Sequence, residues 1–276
     1  MTRKAAREAT ARTGDEETDA PDAKDEARDR VSSSPRKKGY DAGTGGKDGK
    51  SGDEKETRMG RLKANVRTIA GAVALALFIR IVLFEAFEIE GPSMEPTLQN
   101  GDRVVVAKFS YGLFLPFTNE AVFTWGMPSR GDVVIVKSPA DNIDIVKRVI
   151  GLPGDVMELR DDVVYRNGRP IPRRELGPCD PELQMQLSPG CEWIQETNDG
   201  RQYRTSGSLV STPSNMPPRR VPPGHVFILG DHRDHSNDSR YFGPVPVNRV
   251  KGHALAIYWS NGPDGLRSGR IFSGVR

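Results

Sequence analysis

The chain has 276 residues, with 40 Lys and Arg against 37 Asp and Glu, 28% charged residues and 36% hydrophobic ones. That polarity excludes a protein that crosses a bilayer many times, and a formal charge of +3 disfavours a nucleic-acid reader, which gathers Lys and Arg on one face. Two cysteines, Cys179 and Cys191, are too few for a four-Cys zinc site or a disulfide-dense miniprotein but can form one bridge.

From Met1 to about Met59 the chain is almost entirely Ala, Gly, Ser, Thr and charged residues, with Val31 and Tyr40 as rare bulky apolar side chains. So little apolar surface cannot offset the entropy of ordering, and residues 1–64 are expected to be a disordered cytoplasmic tail. Gly49-Lys50-Ser51 resembles the end of a phosphate loop, but Thr44 stands where the first glycine belongs and no apolar strand precedes it.

The composition inverts at Thr68. The run from Ile69 to Ile79, then Arg80, then Ile81 to Phe84 is long enough, with its flanks, to cross a bilayer, and a transmembrane helix is expected over 65–87. Arg80 lies toward the C-terminal end, where its head can snorkel to the interface. A cleaved leader is disfavoured, because Phe84-Glu85-Ala86-Phe87 is not a small-x-small site. Arg58, Arg61, Lys63 and Arg67 precede the span, whereas Glu85, Glu88, Glu90 and Glu95 follow it, so the basic end is expected in the cytoplasm and everything after Phe87 outside. An outside location permits a Cys179–Cys191 disulfide.

Residues 88–276 carry short β-branched runs bounded by Gly, Pro, Asp and Asn. Strands are expected over Arg103–Lys108, Asp132–Val136, Ile143–Ile150, Val156–Leu159, Val163–Arg166, His225–Leu229 and Val250–Tyr258. Their frequency, without a strongly periodic helix between them, points to a mostly β domain. The polar stretch from about Arg160 to Arg220, with both cysteines, reads as an insertion forming a second lobe.

Three segments carry chemistry. Ser93 lies in Glu90-Gly-Pro-Ser-Met-Glu-Pro-Thr-Leu98, a turn stiffened by two prolines, and needs a base to be more than a turn residue. The run Asp144 to Ile150 supplies Lys147, which a period of two places on the face of Ile145 and Val149. On a dry face desolvation pushes a lysine toward the neutral amine that can accept a serine proton; alternatively, Lys147 is a solvated edge residue and Arg148 the buried one. The third segment, Gly230 to Pro244, is a dense polar loop after the apolar run Val226 to Leu229. It admits a metal set of His232, Asp234, His235 and Asp238, or a network in which Asp238 pairs with Arg240 and Ser236 hydrogen-bonds an amine.

Taken together and in order, five boxes closely resemble bacterial type I signal peptidase: the Ser93 turn, Gly101-Asp102 to Phe109, Arg130-Gly131-Asp132-Val-Val, Lys147-Arg148 to Asp155, and Gly230-Asp231 to Gly243. The likeness runs from about the span to Arg276 and leaves out the first sixty or so residues. It implies a membrane-anchored serine endopeptidase, free of metal and cofactor, that cleaves signal peptides from secreted preproteins after small-x-small motifs at the phospholipid surface. Ser93 would be the nucleophile, Lys147 the general base and Ser236 the group that orients its amine, while Asp238 and Arg240 would brace the loop. Phe87, Ile89, Met94, Leu98, Ile145 and Val146 would line shallow substrate pockets. The chain departs from the family pattern at His232 and His235, where asparagine is usual, and at Gly91, where some members carry a serine suited to an oxyanion donor. Rival readings are a Ser-His-Asp hydrolase using Ser93 with His232 or His235, and a membrane-anchored binding module without catalysis. Leu113 to Phe117, Phe123 and Trp125 are a candidate surface for lipid headgroups.

Overall fold

A computed structural model describes residues 51–114, 118–181, 189–208, 210 and 214–276. Most of the expected tail, and part of the expected headgroup surface at 115–117, lie outside these residues.

Helix α1 (Ser51–Val82) is built from Ala, Leu, Ile and straight-chain charged residues without an internal proline. Its stretch Gly60–Arg80, 21 residues none of which is buried in protein, is long and apolar enough to cross a membrane. The helix ends five residues before the expected limit of the span. Phe84–Glu88 is instead a strand, because its alternating pattern suits a ladder and its acids find cationic partners on and just after the neighbouring strand: Glu88 pairs with Arg103 within it, and Glu85 with Lys108 immediately beyond its end.

The main sheet draws its strands from both ends of the β region. The first six are β1 (Phe84–Glu88), β2 (Asp102–Ala107), the two-residue pair β3 (Gly112–Leu113) and β4 (Phe123–Thr124), β5 (Val133–Lys137) and β6 (Asp144–Gly151). The second lobe follows, with β7 (Val156–Arg160), β8 (Val163–Arg166), β9 (Arg169–Pro170), β10 (Arg173–Pro178), β11 (Cys191–Asn198), β12 (Arg201–Ser208) and β13 (Met216–Arg220). The chain then returns with β14 (His225–Leu229), helix α2 (Ser239–Phe242), β15 (Val245–Pro246), β16 (Val250–Gly262) and β17 (Gly265–Leu266). The main sheet has the order β1-β2-β16-β5-β6-β14-β15, with β17 on β16, and its neighbours are antiparallel.

The central strands are apolar on both sides because both sides are covered. Val133 and Ile135 join one core with Ile89, Met94, Leu98, Val104 and Val106, while Val134 and Val136 join another with Val149, Val226 and Ile228. The lobe consists of a sheet of order β13-β7-β8-β9 and a sheet of order β10-β11-β12. Its core, Met157, Leu159, Val164, Ile171, Tyr203 and Met216, continues into Ile150, Phe227 and Leu229 of the main sheet. The first lobe strand opens at Val156, a few residues before the expected start near Arg160, because Val156 pairs with Arg220 to close the insertion. Cys179 and Cys191 form a disulfide where β10 ends and β11 begins, with a Cα–Cα distance of 5.3 Å.

Candidate active site

Ser93 lies in the connection between β1 and β2. That loop is pinched at its base, where Ile89 N–H donates to Asp102 O and Gly101 N–H donates to Ile89 O. Inside it, Glu95 N–H donates to Pro92 O and Leu98 N–H to Met94 O, while the Met94 and Leu98 side chains sink into the core. The turn is therefore rigid, and Ser93 remains half-buried at its tip. Gly91 has φ +83°, a conformation that disfavours any side chain, so open space beside it does not make a serine there free of strain.

Strand β6 brings Lys147 to this turn. Lys147 Nζ lies 2.9 Å from Ser93 Oγ and donates to Val146 O at 2.8 Å. The lysine is 3% exposed. Burial lowers its pKa from 10.5 to about 8, against the opposing charges of Asp238 and Asp231. A substantial share of the amine is thus neutral near pH 8 and can take a proton from the hydroxyl it faces.

Arg148, at 1% exposed, is buried as well, so Lys147 is not the solvated edge residue of the alternative reading, although the buried Arg148 of that reading is present. Its guanidinium grips Asp231 with two bonds of 2.8 and 2.6 Å, donates to Gly131 O, and lies 4.3 Å from the centre of the Tyr203 ring. Thr97 Oγ1 donates to the same Asp231 carboxylate and accepts from Arg148. These bonds fasten the Ser93 turn, β6 and the loop after β14 to one another, with the geometric exactness that bidentate Arg–carboxylate pairs provide.

The loop after β14 is tied together around Asp238. Asp238 caps α2, accepts from Gly230 N–H at 3.0 Å, and is held by Arg240 through Nε at 2.9 Å and Nη2 at 3.0 Å. Arg240 Nη2 also donates to the carbonyls of Arg233 and Ser236. The expected bond from Ser236 to the lysine is not formed: Ser236 Oγ is buried with no hydrogen-bond partner among the described residues. The crowding at Gly230 explains where that hydroxyl is instead, since a Cβ on Gly230 would collide with Ser236 Oγ and with Ser93 O.

The six apolar residues expected to line pockets divide. Ile89, Met94 and Leu98 are buried core, because they anchor the turn from below, and offer no open wall. Phe87 and Val146 pack half-exposed on that core, and Ile145 half-exposed on the other. The two histidines stand together in the loop after β14. His232 is fully buried, its ring against the Pro92 carbonyl and 4.6 Å from that of His235, and burial followed by the His235 charge lowers its pKa to about 4. Its backbone N–H donates to Ser93 O at 3.1 Å. The carboxylate of Asp238, a member of the metal reading, is taken up by Arg240 and Gly230.

Three features were not legible in the sequence. Glu95, which reads as a solvated acid after the span, is buried with Oε2 unpartnered among the described residues; burial raises its pKa to about 7 against the charges of Arg267 and Arg270. The second is the part Thr97 plays between Arg148 and Asp231. The third is the ion pair of Glu196 with Arg233, whose acid lies in a strand of ordinary polar composition.

The family model described as "Signal peptidase, peptidase S26" matches residues 62–259. A signal peptidase I of Pseudomonas fluorescens is 36% identical over 200 residues, covering 67% of this chain and 68% of that protein. One of Bacillus licheniformis is 33% identical over 195 residues, covering 70% of this chain and 87% of that protein. A crystal structure of a signal peptidase I from Enterococcus faecalis V583 is 32% identical in sequence and covers 47% of this chain and 98% of its own, with a TM-score of 0.29.

Proposed function

Because the chain belongs to the signal peptidase family, peptidase S26, and is a membrane-anchored peptidase, we propose that it removes signal peptides from secreted preproteins after small-x-small motifs by a Ser93/Lys147 dyad. The observation that carries this reading is the 2.9 Å approach of a buried lysine amine to the Ser93 hydroxyl. In the first half-reaction Lys147 takes the hydroxyl proton as Ser93 Oγ adds to the scissile carbonyl carbon. The resulting ammonium gives that proton to the leaving amine as the C–N bond breaks, leaving an ester on Ser93. Water then adds to the ester with Lys147 again as base, and the serine hydroxyl is restored. The Ser93 backbone N–H supplies one donor to the oxyanion; Gly91 has no hydroxyl to add, so a second donor comes from backbone or water.

Phe87, Ile145 and Val146 offer exposed apolar surface for small side chains, with Ile89, Met94 and Leu98 behind them as packing. The basic residues before the span place the N-terminal side in the cytoplasm and the β domain outside it. The test is cleavage of a preprotein bearing an Ala-x-Ala site by the detergent-solubilised chain. Ser93→Ala and Lys147→Ala are expected to lose activity by several orders of magnitude while still melting cooperatively. Ser236→Ala, lacking a bond to the lysine, is expected to lose less than tenfold. An active Lys147→Ala beside an inactive His232→Asn would replace the dyad with the histidine reading.

A further inference from the structure

A buried ion pair that the proton transfer does not use lies between the second lobe and the loop after β14. Glu196 stands in β11, opposite Tyr203 of β12 and Arg173 of β10. Its Oε2 accepts from Arg233 Nη2 at 2.6 Å, and both side chains are buried. Burial favours loss of the Arg233 proton, but the charge and hydrogen bond of Glu196 outweigh it and raise the pKa. Buried ion pairs often add little net stability, whereas they fix geometry closely, so a positional role is the better physical account.

From Arg233 the contacts reach Ser93 in two steps. Arg233 Nε donates to Gly230 O at 3.1 Å, and Gly230 is the residue against which Ser93 O and Ser236 close too tightly for any side chain. The Arg233 backbone N–H donates to Ser206 O of β12, and Ser206 N–H donates to Asp231 O, each at 2.9 Å, forming a short parallel bridge between lobe and loop. Within that bridge His232 N–H holds the Ser93 carbonyl, and Ser206 Oγ donates to Glu95 O in the same turn.

We propose that Glu196 is a positioning residue for the nucleophile: through Arg233 it sets the Gly230–Arg233 backbone that holds the Ser93 carbonyl, and with it the aim of the hydroxyl. The proposal rests on Ser93 being the nucleophile. Glu196 touches neither substrate nor reacting atoms, so its effect appears in turnover rather than binding. A displacement of about 1 Å in a reacting group can cost on the order of a hundredfold in rate.

The experiment measures kcat and KM of the full-length chain on an Ala-x-Ala preprotein, with pH profiles and thermal melts. Glu196→Ala is expected to lower kcat ten- to a hundredfold, with KM within about twofold and the pH midpoint set by Lys147 unmoved. In an Arg233→Met background the same change is expected to cost less than twofold more, since Glu196 acts through that arginine. Wild-type kcat in a folded Glu196→Ala, a rise confined to KM, or additive losses in the double variant would each overturn the proposal. Should Glu196→Ala fail to melt cooperatively, Glu196→Gln keeps the shape and an acceptor; about a tenfold lower kcat supports the proposal and full kcat overturns it. Ser93→Ala runs in parallel: residual cleavage there would remove the nucleophile and the proposal with it, whereas a dead Ser93→Ala beside an unaffected Glu196→Ala would remove the proposal alone.

Discussion

Two buried ionisable groups near the tip of one turn respond to pH in opposite directions. Lys147 titrates near 8 in the fold against 10.5 for a free lysine. The folded state therefore binds fewer protons between those values, so the stability linked to Lys147 is complete above 10.5 and lost as pH falls through about 8. Glu95 titrates near 7 against 4.5, so its contribution is complete below 4.5 and lost as pH rises through about 7. Activity is expected to climb with pH through about 8, as the amine becomes neutral. Denaturant midpoints measured across pH are expected to decline less between 4.5 and 7 in Glu95→Gln than in the parent; an identical decline would mean that Glu95 is ionised without cost. Of these two groups only the lysine had a buried reading beforehand, because strand periodicity puts it among apolar neighbours, and the same periodicity left a solvated edge position equally open. Glu95 lies between Met94 and Pro96 in a loop, where nothing in the local pattern distinguishes a buried acid from a solvated one.

Among the elements, legibility followed apolar content. β5, β6 and β14 carry apolar runs bounded by turn residues and β16 a central Ala-Leu-Ala-Ile, and their expected limits agree with the structure to within a residue except at the C-terminal end of β16, which continues to Gly262. β10, β11 and β12 read as Arg-Arg-Glu-Leu-Gly-Pro, Cys-Glu-Trp-Ile-Gln-Glu-Thr-Asn and Arg-Gln-Tyr-Arg-Thr-Ser-Gly-Ser, too polar to separate from loop, because β10 is largely exposed and the buried positions of β11 and β12 include Glu196, Asn198, Thr205 and Ser206. The boundary between α1 and β1 was obscured for the reverse reason: Phe84 and Phe87 extend the apolar run of the helix while their alternation with Glu85 and Glu88 belongs to a strand. The disulfide ties the polar sheet at the open end of β10 and β11 and closes a separation of 12 residues. In the chain-entropy account a loop of that size contributes about 3 kcal/mol. Since the lobe core continues into β6 and β14, replacing both cysteines by serine is expected to lower a single transition by several degrees rather than release the lobe separately. Two resolved transitions in calorimetry would show that the lobe melts on its own.

At the scale of the whole molecule, the proposed topology rests on the span and the charges around it. With the basic flank Arg61, Lys63 and Arg67 inside, protease applied to intact cells is expected to digest the β domain and spare the segment before the helix; the reverse pattern would invert the orientation. Only Leu83 separates the end of α1 from the start of β1, and even that residue is hydrogen-bonded on both sides, its N–H to Ile79 O and its carbonyl to Lys108 N–H. β1 then runs, paired along its length with β2, into the turn that carries Ser93. A joint without slack turns the anchor into a depth stop. On the dyad and orientation proposed above, the height of the Ser93 hydroxyl over the lipid would be set by one short strand rather than averaged over the swing of a tether, and preproteins would be gauged by how far their cleavage motif stands clear of the bilayer as well as by which small residues it contains.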